Sequence, residues 1–275
     1  MFKEIIQLTG KEEGPTSIIL SGVHGDERCG VEAFRKMLPD LTIERGCVLF
    51  CYGNPRAIEA NKRYTENNLN RMFKSDDLLT IEEKESYEYQ RAQFLKTYFC
   101  KAEALLDIHA SHTPDSKPFV ICEKNAKEIA TYLPVNLVVS GFDQIQPGGS
   151  DYYMNNIGGI GICIECGYFD SSESTRLAEE SILAFLKARG HIANDLVSQR
   201  QSYIQIYDLY LTRTNSFMLS KPFDDFEEIA EEQVVGVDGE KEVKAKKEGV
   251  ILFARNRNKV GDEAFLLGEK KNSLT

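Results

Sequence analysis

Ser17-Ile-Ile-Leu-Ser-Gly-Val-His24-Gly-Asp-Glu27 decides how the chain is read. The run from Ser17 to Val23 has the apolar, β-branched character of a buried strand, and a His and a Glu three residues apart follow where it ends. From that position an imidazole nitrogen and a carboxylate oxygen can aim at one point. Those two groups are two of the three protein ligands that a catalytic zinc commonly takes.

Working outward, β-rich runs alternate with helical patterns through the first two-thirds of the chain, as in a helix-flanked, largely parallel sheet. Strands are expected at Ser17 to Val23, Cys47 to Tyr52, Ala104 to Ile108, Phe119 to Cys122, Leu137 to Val139 and Ile160 to Glu165. Helices are expected from about Glu27 to Leu38, from Thr80 towards Phe99 with Thr80 and Glu83 as a capping box, and from about Thr175 to Arg189. After Gly190 the pattern turns to short β-like runs. Gln233 to Val237, then Asp238-Gly239, then Glu240 to Ala245 reads as a hairpin closed by a type I′ turn. The chain is therefore divided into an α/β catalytic domain, residues 1–195, and a small all-β domain, residues 196–275.

The 275 residues can bury a full core, and the net charge of −10 argues against a nucleic-acid partner, which needs a concentrated basic face. It leaves anionic small molecules open, because a few arginines can make a local positive pocket. With 42% hydrophobic residues, no stretch near the roughly 20 apolar residues of a membrane span, and no signal-peptide pattern at the start, the chain reads as cytoplasmic. The seven cysteines are an odd number and lie mostly in apolar runs, which points to reduced, packed thiols. A homodimer is compatible with all of this.

A second histidine ligand is sought at another strand end on the same sheet edge, where sites in open α/β sheets gather. Ala104-Leu-Leu-Asp-Ile-His109 supplies it, with Asp107 two residues back on the same face, placed to steer the ligand. Alone, a His at a strand end is more often a structural hydrogen-bonding residue. Only four His exist, however, and two fall at the ends of separate buried strands. His112, in the loop beyond, is a competing ligand, and His191 reads as a helix C-cap feature. Ile160-Gly-Ile-Cys-Ile-Glu165 is an apolar strand ending on a carboxylate, costly there unless paired or working, which makes Glu165 the candidate general base. Cys163 and Cys166 point to opposite faces of that strand, so a thiolate site is not expected. Arg63, Asn70 and Arg71, in the polar stretch Asn61 to Phe73, are the kinds of group that bind carboxylates or an oxyanion.

His24-Gly-Asp-Glu27, Asn68-Leu-Asn70-Arg71-Met-Phe73, Asp107-Ile-His109 and Ile164-Glu165-Cys-Gly167, in this order, resemble the succinylglutamate desuccinylase/aspartoacylase family, zinc-dependent amidohydrolases related to the zinc carboxypeptidases. The motifs cover about the first 190 residues, and the β-rich tail is similar in architecture only. The resemblance implies one Zn2+ per subunit held by His24, Glu27 and His109, with Glu165 as the catalytic carboxylate. It implies that Arg63 polarises the scissile carbonyl, and that Asn70 and Arg71 hold the carboxylate of a small anionic N-acyl amino acid. The implied fold is a mixed, mostly parallel twisted sheet with helices on both faces, followed by a small β domain that partly covers the active site.

The sequence departs from better-known members in having no Arg or Lys between Asp151 and Glu165, where aspartoacylase-like enzymes carry an arginine for a second carboxylate. Asn68 also stands where the family often has Asp. N-acetylaspartate is therefore a doubtful substrate, and N-succinyl or N-acetyl derivatives of other amino acids stay open. Two other readings fit the same residues: a zinc carboxypeptidase acting on a peptide or cell-wall fragment, and a non-catalytic ligand-binding protein on the same fold.

Overall fold

Alternating apolar runs become strands where both faces can be covered, and in the computed structural model, which describes residues 5–114 and 116–274, they do so in two units. The first comprises Met1–Val138 and Pro147–Gln201, the second Val139–Gln146 and Ser202–Thr275. The strands of the first unit are β1 (Ile5–Thr9), β2 (Glu12–Ser21), β3 (Arg45–Tyr52), β4 (Ala104–Ser111), β5 (Phe119–Cys122) and β7 (Ile160–Tyr168); β6 (Leu137–Ser140) begins in it. Their order is β1-β3-β2-β4-β7-β5. The central pairs β3–β2, β2–β4 and β4–β7 are parallel, while β1 and β5 join antiparallel, so the sheet is mixed.

Side-chain alternation assigns the two faces. Ile18, Leu20 and Leu105 pack with Ala92, Leu95, Phe99 and Met154, which lie on α4 (Tyr87–Phe99) and α7 (Ser150–Asn156). The opposite face meets α1 (Cys29–Met37), where Gly30 lies so close to the sheet that a Cβ would stand 2.5 Å from Ser21 Oγ and 2.9 Å from Ile108 Cγ2. The long helix α8 (Ser172–Ala188) packs against α1 and against β7 and β4. The remaining helices, α2 (Pro55–Ala60), α3 (Ile81–Glu85), α5 (Lys127–Ala130) and α6 (Phe142–Ile145), are short.

Three local expectations are corrected or extended. The helix expected from Thr80 is two helices: the capping box forms at Thr80, but Ser86, extended at φ −71° and ψ 154°, ends α3 and caps α4 by accepting from Tyr89 N. His191 does close the end of α8, its N donating to Leu186 O beyond Gly190 at φ 71°, but its side chain is not at the surface. It is fully buried, with Nδ1 2.9 Å from Arg45 O and Nε2 2.8 Å from Ser17 Oγ. The third correction is in the second unit, which is all-β apart from α6: β8 (Ser202–Leu211), β14 (Glu263–Lys271), β13 (Gly249–Leu252) and β10 (Glu227–Ile229) form one antiparallel set, and β12 (Lys241–Lys244), β11 (Val234–Asp238) and β9 (Phe217–Leu219) another. Asp238 pairs with Lys241, so the hairpin turn is Gly239-Glu240, one residue later than expected. Of those two only Gly239 has positive φ (65°), the type II′ pattern instead of I′. Asp238 stays in the strand because its carboxylate accepts from Tyr210 Oη, Arg213 N, Thr214 N and Thr214 Oγ1.

Candidate active site

Parallel pairing brings the candidate residues to one edge of the first unit's sheet. Ser21 of β2 is in register with Ile108 of β4, so the chain beyond β2, carrying His24 and Glu27, leaves the sheet beside His109. His109 is in register with Glu165 of the next parallel strand, so both side chains emerge on the same face. The turn between His24 and Glu27 is dense: a Cβ on Gly25 would lie 2.0 Å from the carbonyl carbon of Ala57, so only glycine fits.

His24, Glu27 and His109 are all buried, and one potential donor atom from each lies within 4.8 Å of the others. Both imidazoles turn Nδ1 towards Glu27: His24 Nδ1 lies 2.7 Å from Oε1 and His109 Nδ1 lies 2.9 Å from Oε2. Both turn Nε2 to an outer acceptor, Asn68 Oδ1 at 3.1 Å for His24 and Asp107 Oδ2 at 3.1 Å for His109. Two of these buried nitrogens, His24 Nδ1 beside Glu27 and His109 Nε2 beside Asp107, make no well-aligned hydrogen bond despite their proximity. Inner nitrogens converging on a shared carboxylate, with outer nitrogens oriented by separate partners, are what metal ligation by histidine requires. The donor set therefore fits a metal ion.

The electrostatics favour ligation at Glu27 and His24, whereas His109 favours the protonated ring, whose proton a metal ion would have to displace. Burial alone would push the Glu27 carboxyl up, but His24 and His109 outweigh it and hold it well below the ordinary carboxylate range. Burial lowers the His24 pKa, favouring the neutral ring that a ligand must present. Burial also opposes charge on His109, but Asp107 and Glu27 overcome it and raise its pKa well above the ordinary value. Burial raises the Cys163 thiol well above its usual value, so that sulfur is a poor nucleophile.

Arg63 reaches this centre from the polar loop, its Nη1 donating to Glu27 Oε1 at 2.8 Å while the side chain stays 42% exposed. Its carbonyl accepts from Gly25 N at 3.3 Å. Asn68 caps a 3-10 turn over Leu69–Arg71 by accepting from Asn70 N, with the same oxygen that faces His24. Asn70 Oδ1 accepts from Ser150 N at 3.4 Å, and Arg71 Nη1 donates to Asn70 O at 2.8 Å. Arg63, Asn70 and Arg71 thus belong to one loop tied at several points to the His24–Glu27 segment.

Two contributors, Ser150 and Asp26, were not legible in the sequence, and a third, His112, is the loop residue that the sequence offered as a competing ligand. Ser150 Oγ donates to Asp107 Oδ2 at 2.5 Å, orienting the carboxylate behind His109; nothing in Gly148-Gly149-Ser150 marks that role. Asp26 and His112 stand together beside the centre, His112 Nε2 3.2 Å from Asp26 Oδ2 and its ring 4.4 Å from that of Phe169. Donor atoms of Asp26, Glu27 and His112 also lie within 4.8 Å of one another, so the loop histidine borders the site, although the fully buried set is His24, Glu27 and His109. A polar His-Thr-Pro after a strand was the available signal.

Residues 13–193 match the family model of the succinylglutamate desuccinylase/aspartoacylase catalytic domain. The chain is 36% identical over 74 residues to a succinylglutamate desuccinylase of Photorhabdus laumondii, covering 25% of this chain and 23% of that protein. It is 28% identical over 160 residues to a probable aspartoacylase of Trichodesmium erythraeum, covering 54% of each. The matched stretches thus span from under a quarter to about half of these relatives. Among solved structures, a succinylglutamate desuccinylase from Vibrio cholerae superposes with a TM-score of 0.83 at 19% identity, over 98% of this chain and 86% of that one, a likeness of fold.

Proposed function

We propose, from the premise that the chain belongs to the succinylglutamate desuccinylase/aspartoacylase family, that it is a zinc-dependent deacylase hydrolysing the amide bond of a small N-acyl amino acid. The observation that carries this reading is the pair of buried imidazoles whose Nδ1 atoms share Glu27 while Asn68 and Asp107 hold their Nε2 atoms. His24, Glu27 and His109 would hold the zinc, with Asp107 and Ser150 orienting His109. A zinc ion bound there supplies Lewis-acid polarisation and a water acidic enough to react at neutral pH.

The chain's own residues do the rest. Glu165, beside His109 in register, accepts the proton of the attacking water and passes it to the leaving amine. Arg63 carries its guanidinium to the edge of the ligand set, within reach of the oxyanion that forms as the carbonyl is attacked. Asn70 and Arg71 hold the substrate carboxylate, an amide and a planar fork suited to a planar anion. The absence of Arg and Lys between Asp151 and Glu165 favours substrates without the second carboxylate of acetylaspartate on the amino-acid side.

The test is a hydrolysis screen of N-acetyl, N-succinyl and longer N-acyl amino acids, alongside C-terminal peptides, with zinc-loaded protein and detection of released amine. Turnover of small acyl amino acids and not of peptides is the expected result. Cleavage of peptides alone would replace this reading by a carboxypeptidase, and inertness towards the whole panel would remove it.

A further inference from the structure

Glu88 is an acidic residue in a helix, a type and place that ordinarily face water, yet it is fully buried. No ion pair balances it among the described contacts. Instead its two oxygens collect hydrogen bonds from the stretch 65–67 and from Asn54. Oε1 accepts from Thr65 N at 2.8 Å, Thr65 Oγ1 at 2.7 Å and Asn54 Nδ2 at 3.0 Å; Oε2 accepts from Glu66 N at 3.2 Å and Asn67 N at 3.1 Å. The grip is reciprocal, since Glu66 Oε2 accepts from Tyr87 N at 2.7 Å. That amide is free to donate only because the helix breaks at Ser86; in a continuous helix it would bond to the carbonyl four residues earlier.

The gripped residues, 65–67, lie between Arg63 and the Asn68–Arg71 turn. Arg63 meets Glu27, and Asn68 meets His24, so the loop's ends touch the candidate metal-ligand set while its middle is held by Glu88 and the Tyr87 amide. We infer that Glu88 is the positioning residue for this loop: its buried carboxylate fixes where Arg63, Asn70 and Arg71 stand, and so sets both oxyanion and carboxylate recognition. The inference rests on the proposed function for its kinetic consequence and on hydrogen bonding alone for its structural one. Burial would raise the Glu88 pKa, but the Thr65 amide and hydroxyl with the Asn54 and Asn67 donors outweigh it and lower the value, so the carboxylate is ionised as this role requires.

Glu88→Gln is a severe change here. With its NH2 at the Oε2 position the Glu66 and Asn67 amides lose their acceptor, and at the Oε1 position the Thr65 amide and Asn54 Nδ2 do, while the Thr65 hydroxyl can turn to accept. The experiment measures kcat and KM of zinc-saturated wild type, Glu88→Gln and the milder Thr65→Val, each normalised to bound zinc, together with amide hydrogen exchange across residues 61–73. For Glu88→Gln the expected result is retained zinc, faster exchange at 65–67, and kcat/KM lower by about a hundredfold, as displacement of catalytic groups by about an ångström produces. KM should rise as well as kcat fall, since both kinds of contact ride on the loop. Thr65→Val should lose roughly tenfold, as for one hydrogen bond to a charged group.

A merely structural Glu88 would lower Tm and leave kcat/KM per bound zinc unchanged, and that result overturns the inference. If Glu88→Gln does not fold, Thr65→Val decides: unchanged KM and unchanged exchange overturn the inference. If wild type turns over nothing in the panel, the functional proposal fails, and exchange alone judges Glu88, with unaltered protection at 65–67 in the variants counting against it.

Discussion

Replacing Asp107 by Ala isolates the orientation of His109 from its ligation. Asp107 is 1% exposed, and its carboxylate receives two contacts, His109 Nε2 at 3.1 Å and Ser150 Oγ at 2.5 Å. Truncation leaves the buried Ser150 hydroxyl without its acceptor and the outer nitrogen of His109 without its charged neighbour, at a cost of about 1–3 kcal/mol. It also removes the charge that makes the ring a better ligand. Loss of such an outer partner weakens metal binding by about ten- to a hundredfold, equivalent to roughly 1.4–2.8 kcal/mol. Zinc affinity measured by competition against a calibrated chelator reads this directly and needs no turnover. Ser150→Ala, which removes only a donor to Asp107, should weaken binding by less than about tenfold, whereas His24→Ala should lose the metal. An Asp107→Ala protein that folds and keeps wild-type zinc affinity would refute the assignment of His109 as a ligand oriented by Asp107.

Glu165→Gln should keep its zinc and lose on the order of a hundredfold or more in kcat; undiminished turnover would remove Glu165 from proton transfer. Gly25→Ala should fail to fold or lose metal, because the new Cβ would meet the Ala57 carbonyl carbon at 2.0 Å, and a soluble, zinc-loaded variant would contradict that packing. Because the folded-state pKa of Glu88 is lowered, its contribution to stability is present above the unfolded value and is lost as pH falls through the folded one. Urea unfolding from pH 7 down to pH values below the ordinary carboxylate range should therefore show a steeper acid loss in wild type than in Glu88→Gln, and parallel curves would contradict it.

The central strands could be read from the chain because each is an apolar run that ends on a chemical group, His24 after β2, His109 on β4, Glu165 on β7. Parallel register then brings those ends together without further information. What resisted reading was set by contacts distant in sequence. The break at Ser86 is one case: local propensity favours a continuous helix, and it is Glu66, twenty-one residues earlier, that takes up the freed Tyr87 amide. Glu88 looks like any solvated helix glutamate until the loop amides are seen around it. The hairpin turn slipped by one residue because Asp238, a good turn former, is engaged by Tyr210, Arg213 and Thr214. His191 was legible as the end of its helix, but the burial of its ring was not, because its side-chain partners, Arg45 and Ser17, lie more than a hundred residues away. The ligand loop was recognisable from its Arg and Asn content; its anchoring was not.

The most direct measurement titrates metal-free protein with zinc while following amine release from the N-acyl amino acids of the panel. Turnover should be absent without metal, rise in proportion to added zinc, and reach its plateau at one equivalent per chain. A protein that binds one equivalent of zinc at His24, Glu27 and His109 and releases no amine from any acyl amino acid would contradict the account.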